Sequence, residues 1–190
     1  MGHSQASKQS THERIVGIAA ERFCELGIDG LSIANLMKEA GLTHGGFYKH
    51  FESRDQLVAE ALVAAFQRSD DRQRTYQSTF ETLVSEYLST EHRDAVGTGC
   101  AVGALVSDIG RVQGEARNLY TQKLRTNIKG ISALVGTAKG ATRADAIVAF
   151  SAMVGALGLS RAVADDELSL EILSTVREFL LSNFGTNSQD

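Results

Sequence analysis

Apolar residues return every three to four positions along most of this chain, and short polar turns divide that rhythm into segments. In THERIVGIAAERFCELG, residues Ile15, Ile18, Ala19, Arg22, Phe23 and Leu26 fall on one helical stripe. Thr11 stands where an N-cap belongs and Gly27 where a C-cap does, which predicts a first helix of about four turns. After the turn GIDGLS, Ser32 caps a short second helix whose Ile33, Leu36, Met37 and Ala40 form its buried face. Gly41 closes that helix, Leu42 plugs the corner, and Thr43 is placed to cap a third. Helix, glycine turn, helix is the layout of a helix-turn-helix, whose second helix enters the major groove of DNA.

Beyond it, Ser53 caps a long fourth helix carrying Leu57, Ala61, Leu62, Ala65 and Phe66 toward Arg74. Phe80, Leu83, Val84, Tyr87 and Leu88 mark the fifth. A glycine-rich stretch follows, read as a loop to about Gly99 and then a short helix. Leu119, Tyr120, Leu124, Ile128, Ile131 and Val135 mark the seventh, Thr142 caps the eighth, RADAIVAFSAMVGALGLSRAV, and LEILSTVREFLLSNF is the ninth. With no proline and few β-branched runs, the expectation is an all-α fold of about nine helices. Residues 1–9 read as a flexible arm.

Charge sharpens the picture only locally. Residues 1–57 carry six Lys or Arg against seven Asp or Glu, and residues 58–190 thirteen against sixteen, so neither part is basic. Between Gly41 and Phe51, however, Lys49, His44 and His50 occur with no carboxylate. A footprint this small docks on phosphate only with good geometry and two copies. In GLTHGGFYKHF the small Gly45 and Gly46 would let the backbone approach a groove wall, with His44 at the base-facing end. Ser32 and Thr43, heading their helices, suit phosphate oxygens. Tyr48 and Lys49 would reach phosphates, as would His50 when protonated. Phe47 and Phe51, four apart, anchor the segment. Arg54 falls within reach of a backbone phosphate or of a surface ion pair with Glu52 or Asp55. The plainer alternative for the whole stretch is a glycine-containing loop over buried aromatics.

Other chemistries find little support. His3, His12, His44, His50 and His92 lack metal-ligand spacing, and no GxSxG or phosphate-binding glycine loop occurs, so neither enzyme, metal nor cofactor is expected. Cys24 and Cys100 are far apart in sequence and suggest neither a disulfide framework nor a zinc site. No apolar run is read as approaching the roughly 20 residues that span a bilayer, and no signal core opens the chain, which predicts a cytoplasmic protein.

Residues 14–57 resemble the TetR family of bacterial transcriptional regulators. The likeness rests on Ala20 and Phe23, Gly27, Ile33 and Ala34, Ala40 and Gly41, Thr43, Tyr48 and Phe51, and Arg54 before Leu57. It covers about a quarter of the chain. Arg54 stands where the family more often has lysine, and it meets phosphate more directionally. The resemblance implies a DNA-binding unit over 10–56 and a ligand-binding and dimerisation unit over 57–190. It implies a homodimer on a double-stranded operator, most often a repressor released by a small-molecule inducer.

Within that frame a pocket would lie among the fifth to eighth helices, with Tyr87, Ser107, Tyr120 and Asn127 as candidates on helical spacing. Cys100 follows GTG at a helix start, a position that favours thiolate, though a buried inert thiol is the better reading. The last two helices are apolar around most of their circumference. Phe150, Val154, Leu157, Leu173, Val176 and Leu180 are assigned to a four-helix dimer interface, with a monomeric core as the alternative.

Overall fold

The computed structural model describes residues 2–74, 79–135 and 142–185, with side chains from Gln5 onward. Ten α-helices and one 3-10 helix make up the described residues, and no strand is found among them. The helices are α1 (Gly2–Leu26), α2 (Ile33–Glu39), the 3-10 segment His44–Lys49, α3 (Arg54–Arg74), α4 (Phe80–Tyr87), α5 (Thr90–Asp94), α6 (Ala101–Ala104), α7 (Val106–Ile109), α8 (Glu115–Val135), α9 (Arg143–Ala162) and α10 (Asp166–Phe184). The all-α expectation holds. The stretch after Leu88 accounts for the higher helix number, because it forms the short α5, α6 and α7 where one loop and one helix were expected. The end expected for the α8 segment past Val135 lies outside the described residues.

Local signals set most boundaries. Ser32 accepts the Asn35 amide at 3.1 Å, and Ser53 accepts that of Gln56 at 3.1 Å, each satisfying a first-turn donor. Thr142 and Asp145 cap α9 reciprocally. Gly27 and Gly41 end α1 and α2 at φ of +77° and +69°, a region costly for any side chain. Thr11 is a correction: it lies inside α1, its hydroxyl donating to the Ser7 carbonyl at 2.9 Å. The helix therefore starts well before it, and Gln5 to Gln9, expected in a flexible arm, form helical turns. Nothing in SQASKQ breaks a helix, and Gln9 donates to Glu13 one turn on at 2.9 Å. Leu26, placed on the buried stripe, is 56% exposed.

Ile15, Ala19 and Phe23 of α1, Leu36 and Met37 of α2, Phe47, Phe51, and Leu57 and Leu62 of α3 are buried in one continuous core. The division after residue 56 falls in the first turn of α3, so the head and the body share a helix. Two further ties join them. Asp108 of α7 accepts the Ile28 amide at 3.2 Å, and Arg68 of α3 donates to the Gly17 carbonyl at 2.8 Å. In the body, α9 packs between α8 and α10, and α10 also lies against α4.

Four of the six expected dimer residues need correcting. Phe150, Leu157, Leu173 and Leu180 are buried within the single chain, and Val154 and Val176 are partly covered. Outward instead face Val148, Ser151, Gly155, Gly158 and Leu159 of α9, with Phe179 of α10. A helix apolar on nearly every side carries no periodicity by which to choose a face. That same composition gives α9 the length and mean hydropathy, 1.3, of a membrane span, which no run was expected to reach. Its Ala146, Ala149, Phe150, Met153 and Leu157 are buried against the protein's own helices, as in a core helix.

Candidate nucleic-acid interface

The segment His44–Lys49 forms a 3-10 helix and not the expected α-helix. Two consecutive glycines cost about 1 kcal/mol each in an α-helix relative to alanine, which favours the tighter, shorter form. Phe47 and Phe51 pin the segment from below, 0% and 2% exposed and stacked with ring centroids 5.2 Å apart. His12 of α1 stacks on the other side of the pair, 4.5 Å from Phe51, and its Nε2 lies 2.5 Å from Glu60 of α3. The ring ladder ties the segment to both long helices of the head.

Above those anchors the surface is open. Thr43, His44, Gly45, Tyr48 and Lys49 are exposed, Tyr48 to 68%. Thr43 caps nothing with its side chain, correcting its expected role and leaving its hydroxyl available outside the fold. Neither Gly45 nor Gly46 has a positive φ. A methyl on Gly45 would meet nothing within 4 Å, and one on Gly46 would touch Met37 at an ordinary 3.5 Å. The fold itself thus accepts a side chain at both positions. Gly45→Ala should leave unfolding free energy unchanged or raise it by up to about 1 kcal/mol, while weakening DNA binding about tenfold if backbone approach matters. Urea titration beside a gel-shift assay reads both; an unchanged affinity removes the close-approach role.

Two assigned contacts are corrected. Arg54 is half-buried, and its guanidinium donates to the Leu31 carbonyl at 2.9 Å and the Ile28 carbonyl at 2.5 Å. It reaches neither Glu52 nor Asp55, and it ties the α1–α2 turn to α3. His50 is held below the ordinary histidine range by burial, then by His12, Lys8 and Lys49. Its Nδ1 is buried without a partner among the described residues. Its surroundings thus disfavour the cation that was expected to meet phosphate.

Of the five ligand candidates, Tyr87 and Asn127 line a common cavity. It has about 140 Å³ between α3, α4, α8 and α9, with Leu83, Ile131, Phe150 and Met153 as apolar wall. Asp70, Gln73 and Thr126 supply polar edges that spacing did not single out, although Asp70 and Gln73 sit three apart on α3. Lys123 of α8 pairs with Asp70 at this rim. The other three lie elsewhere. Tyr120 donates its hydroxyl to the Val102 carbonyl at 2.8 Å, and Ser107 is exposed on α7. Cys100 is 3% exposed ahead of a four-residue helix too short to act as a strong dipole.

Behind the cavity lies a closed polar knot. His92, 3% exposed, donates through Nδ1 to the Tyr87 carbonyl at 2.8 Å, and its Nε2 accepts the Cys100 amide at 2.9 Å. Ser69 bridges the Gly99 carbonyl and the Ala101 amide at 2.9 and 3.2 Å. Arg161 donates to the carbonyls of Arg93 and His92 at 2.8 and 2.6 Å. These bonds hold the α5–α6 connection, and with it α6, against the body.

Residues 15–61 match the family described as bacterial regulatory proteins of the tetR family. The HTH-type transcriptional regulator AcrR of Shigella flexneri is 28% identical over 72 residues, 38% of this chain and 34% of that protein. The HTH-type transcriptional repressor DhaR of Mycobacterium sp. (strain GP1) is 26% identical over 104 residues, 51% of each. The matched stretches span about half or less of the length of these curated relatives. Among solved structures, a TetR transcriptional regulator from Chloroflexus aurantiacus J-10-FL aligns with a TM-score of 0.80 at 21% identity, over 94% of this chain and 97% of that one. AibR in complex with isovaleryl coenzyme A and operator DNA aligns at 0.68 and 12% identity, over 93% and 99%. The two curated relatives and the Chloroflexus structure are each described as transcriptional regulators or repressors.

Proposed function

We propose, from the match of residues 15–61 to the TetR family of bacterial regulatory proteins, that the chain is a cytoplasmic repressor that binds an operator as a homodimer and is released by a small molecule. Residues 10–56 would form the DNA-binding unit and residues 57–190 the effector and dimerisation unit. The observation that carries this is the exposed rim Thr43 to Lys49, held on buried Phe47 and Phe51, with two glycines that the fold does not itself require. Such a rim offers backbone and small polar groups to base edges while Tyr48 and Lys49 meet phosphate.

Two copies are needed because a single small footprint on a chain of net charge −4 gives weak affinity. The outward stripe of Val148, Ser151, Gly155, Gly158 and Leu159, with Phe179, supplies a self-complementary surface on which α9 and α10 of two protomers form a four-helix bundle. The effector would enter beside Asp70, Gln73 and Asn127 and favour a head spacing that no longer fits two grooves.

Selection of genomic fragments followed by gel shift tests the reading. Retention should be sequence-selective and fall steeply with salt. A Leu159→Glu/Phe179→Glu double variant should sediment as a monomer and lose most of that retention. Salt-insensitive, non-selective binding by the wild type, or a wild type that is monomeric at micromolar concentration, would refute it.

A further inference from the structure

We propose that the opening turns of α1, through Lys8 with Ser7, form a second phosphate-binding strip beside the 3-10 segment, gripping the DNA backbone that flanks each half-site. The inference rests on the operator-binding reading and adds residues that no part of it uses. Ser7, Lys8 and Thr11 share a solvent-open hollow of about 650 Å³ with Tyr48, Lys49 and His50, brought together from two separate stretches of the chain.

The hollow's electrostatics point to an anion. No carboxylate lines it among the described residues, although the chain as a whole carries more acids than bases. Arg22 pairs with Glu25 and Glu39, Arg68 with Glu21, and Arg54 is engaged by carbonyls. Lys8 and Lys49 both line the hollow, and no carboxylate among the described residues lines it beside them. Two ammonium groups lining one hollow both attract an anion that enters it. Tyr48 adds a hydroxyl at the same surface, which suits a phosphodiester oxygen and carries no base information. Because α1 rises 1.5 Å per residue, the strip lies within about two turns of helix and cannot be detached from the head without unwinding it. The DNA footprint of the head therefore widens by one backbone contact on the α1 side, outside the bases read by His44 and its neighbours.

Salt dependence of binding to an operator duplex selected by the wild-type protein tests this. Lys8→Gln should lower the slope of log affinity against log salt by about one per protomer and weaken binding about five-fold at low salt, with base preference unchanged. Lys8→Arg should restore the slope. Shortening the duplex to the bare half-sites should abolish the difference between wild type and Lys8→Gln. Circular dichroism on each variant excludes loss of the α1 turns as the cause. An unchanged slope in Lys8→Gln, alongside a reduced one in Lys49→Gln, overturns the proposal while leaving operator binding intact. Absence of selective, salt-sensitive binding by the wild type overturns both readings together.

Discussion

Arg54→Ala should destabilise the protein by about 3 kcal/mol and yet leave the salt dependence of any DNA binding unchanged. The guanidinium caps the Leu31 and Ile28 carbonyls at 2.9 and 2.5 Å from a half-buried position, and both carbonyls belong to the turn that sets α2 against α1. Charge-assisted hydrogen bonds contribute roughly 1.5–3 kcal/mol each, and partial exposure reduces the sum. Removing the side chain strands two acceptors beside the second element of the helix-turn-helix. Arg54→Lys keeps the charge but not the fork, so it should recover less than half of the loss. Urea unfolding reads the first effect, and affinity across a salt series, corrected for the folded fraction, reads the second. A fall in salt slope of about one per protomer with unchanged stability would instead make Arg54 a phosphate ligand.

Acidification should cost nearly as much through one residue. His92 is locked in its neutral form from both sides: the Tyr87 carbonyl can only accept, which puts the proton on Nδ1, and Nε2 is occupied by the Cys100 amide. Burial pushes its pKa down to about 4 from the usual 6.5. As pH falls, the unfolded chain takes up this proton first and the folded chain only near 4. The contribution is therefore complete above pH 6.5 and disappears progressively down to about 4. That gap corresponds to roughly 3 kcal/mol. Denaturant titrations at stepwise pH should show a steep acid limb that flattens in His92→Gln, whose stability at pH 7 is lower from the outset. If the two proteins lose stability in parallel between pH 6.5 and 4, His92 is already charged in the fold and the assigned tautomer is wrong.

The head was the most legible part of the sequence because local rules decide it. Ser32, Ser53, Gly27 and Gly41 act through bonds or dihedrals within a few residues of themselves, and Phe47 and Phe51 had to share a face at their spacing. Arg54 was misread because its partners, Ile28 and Leu31, are more than twenty residues away and are backbone carbonyls, which leave no charge pattern to read. The α1 start was misread for the opposite reason: Thr11 has the chemistry of a cap, but residues before it are equally content in a helix.

In the body, the helices were readable and their partners were not. Phe150 and Leu157 lie on a helix apolar all round, so which flank meets α8 and which meets another protomer is decided by packing alone. Tyr120 and Ser107 shared helical spacing with Tyr87 and Asn127, yet Tyr120 spends its hydroxyl on α6 and Ser107 faces outward. Asp70 and Gln73 escaped notice because their helix was read from its apolar stripe.

The continuity of α3 has a mechanical corollary. Asp70, at the rim of the internal cavity, and Arg54, beneath the turn of the head, lie on one unbroken rod. Sixteen residues of helix separate them by about 24 Å. Over that arm a tilt of about 5° at one end displaces the other by about 2 Å, several times the spread of about 0.5 Å in hydrogen-bond lengths and well above what a close-packed side chain tolerates. The molecule therefore needs no jointed transmission between its interior and its tip, since one stiff beam already connects them.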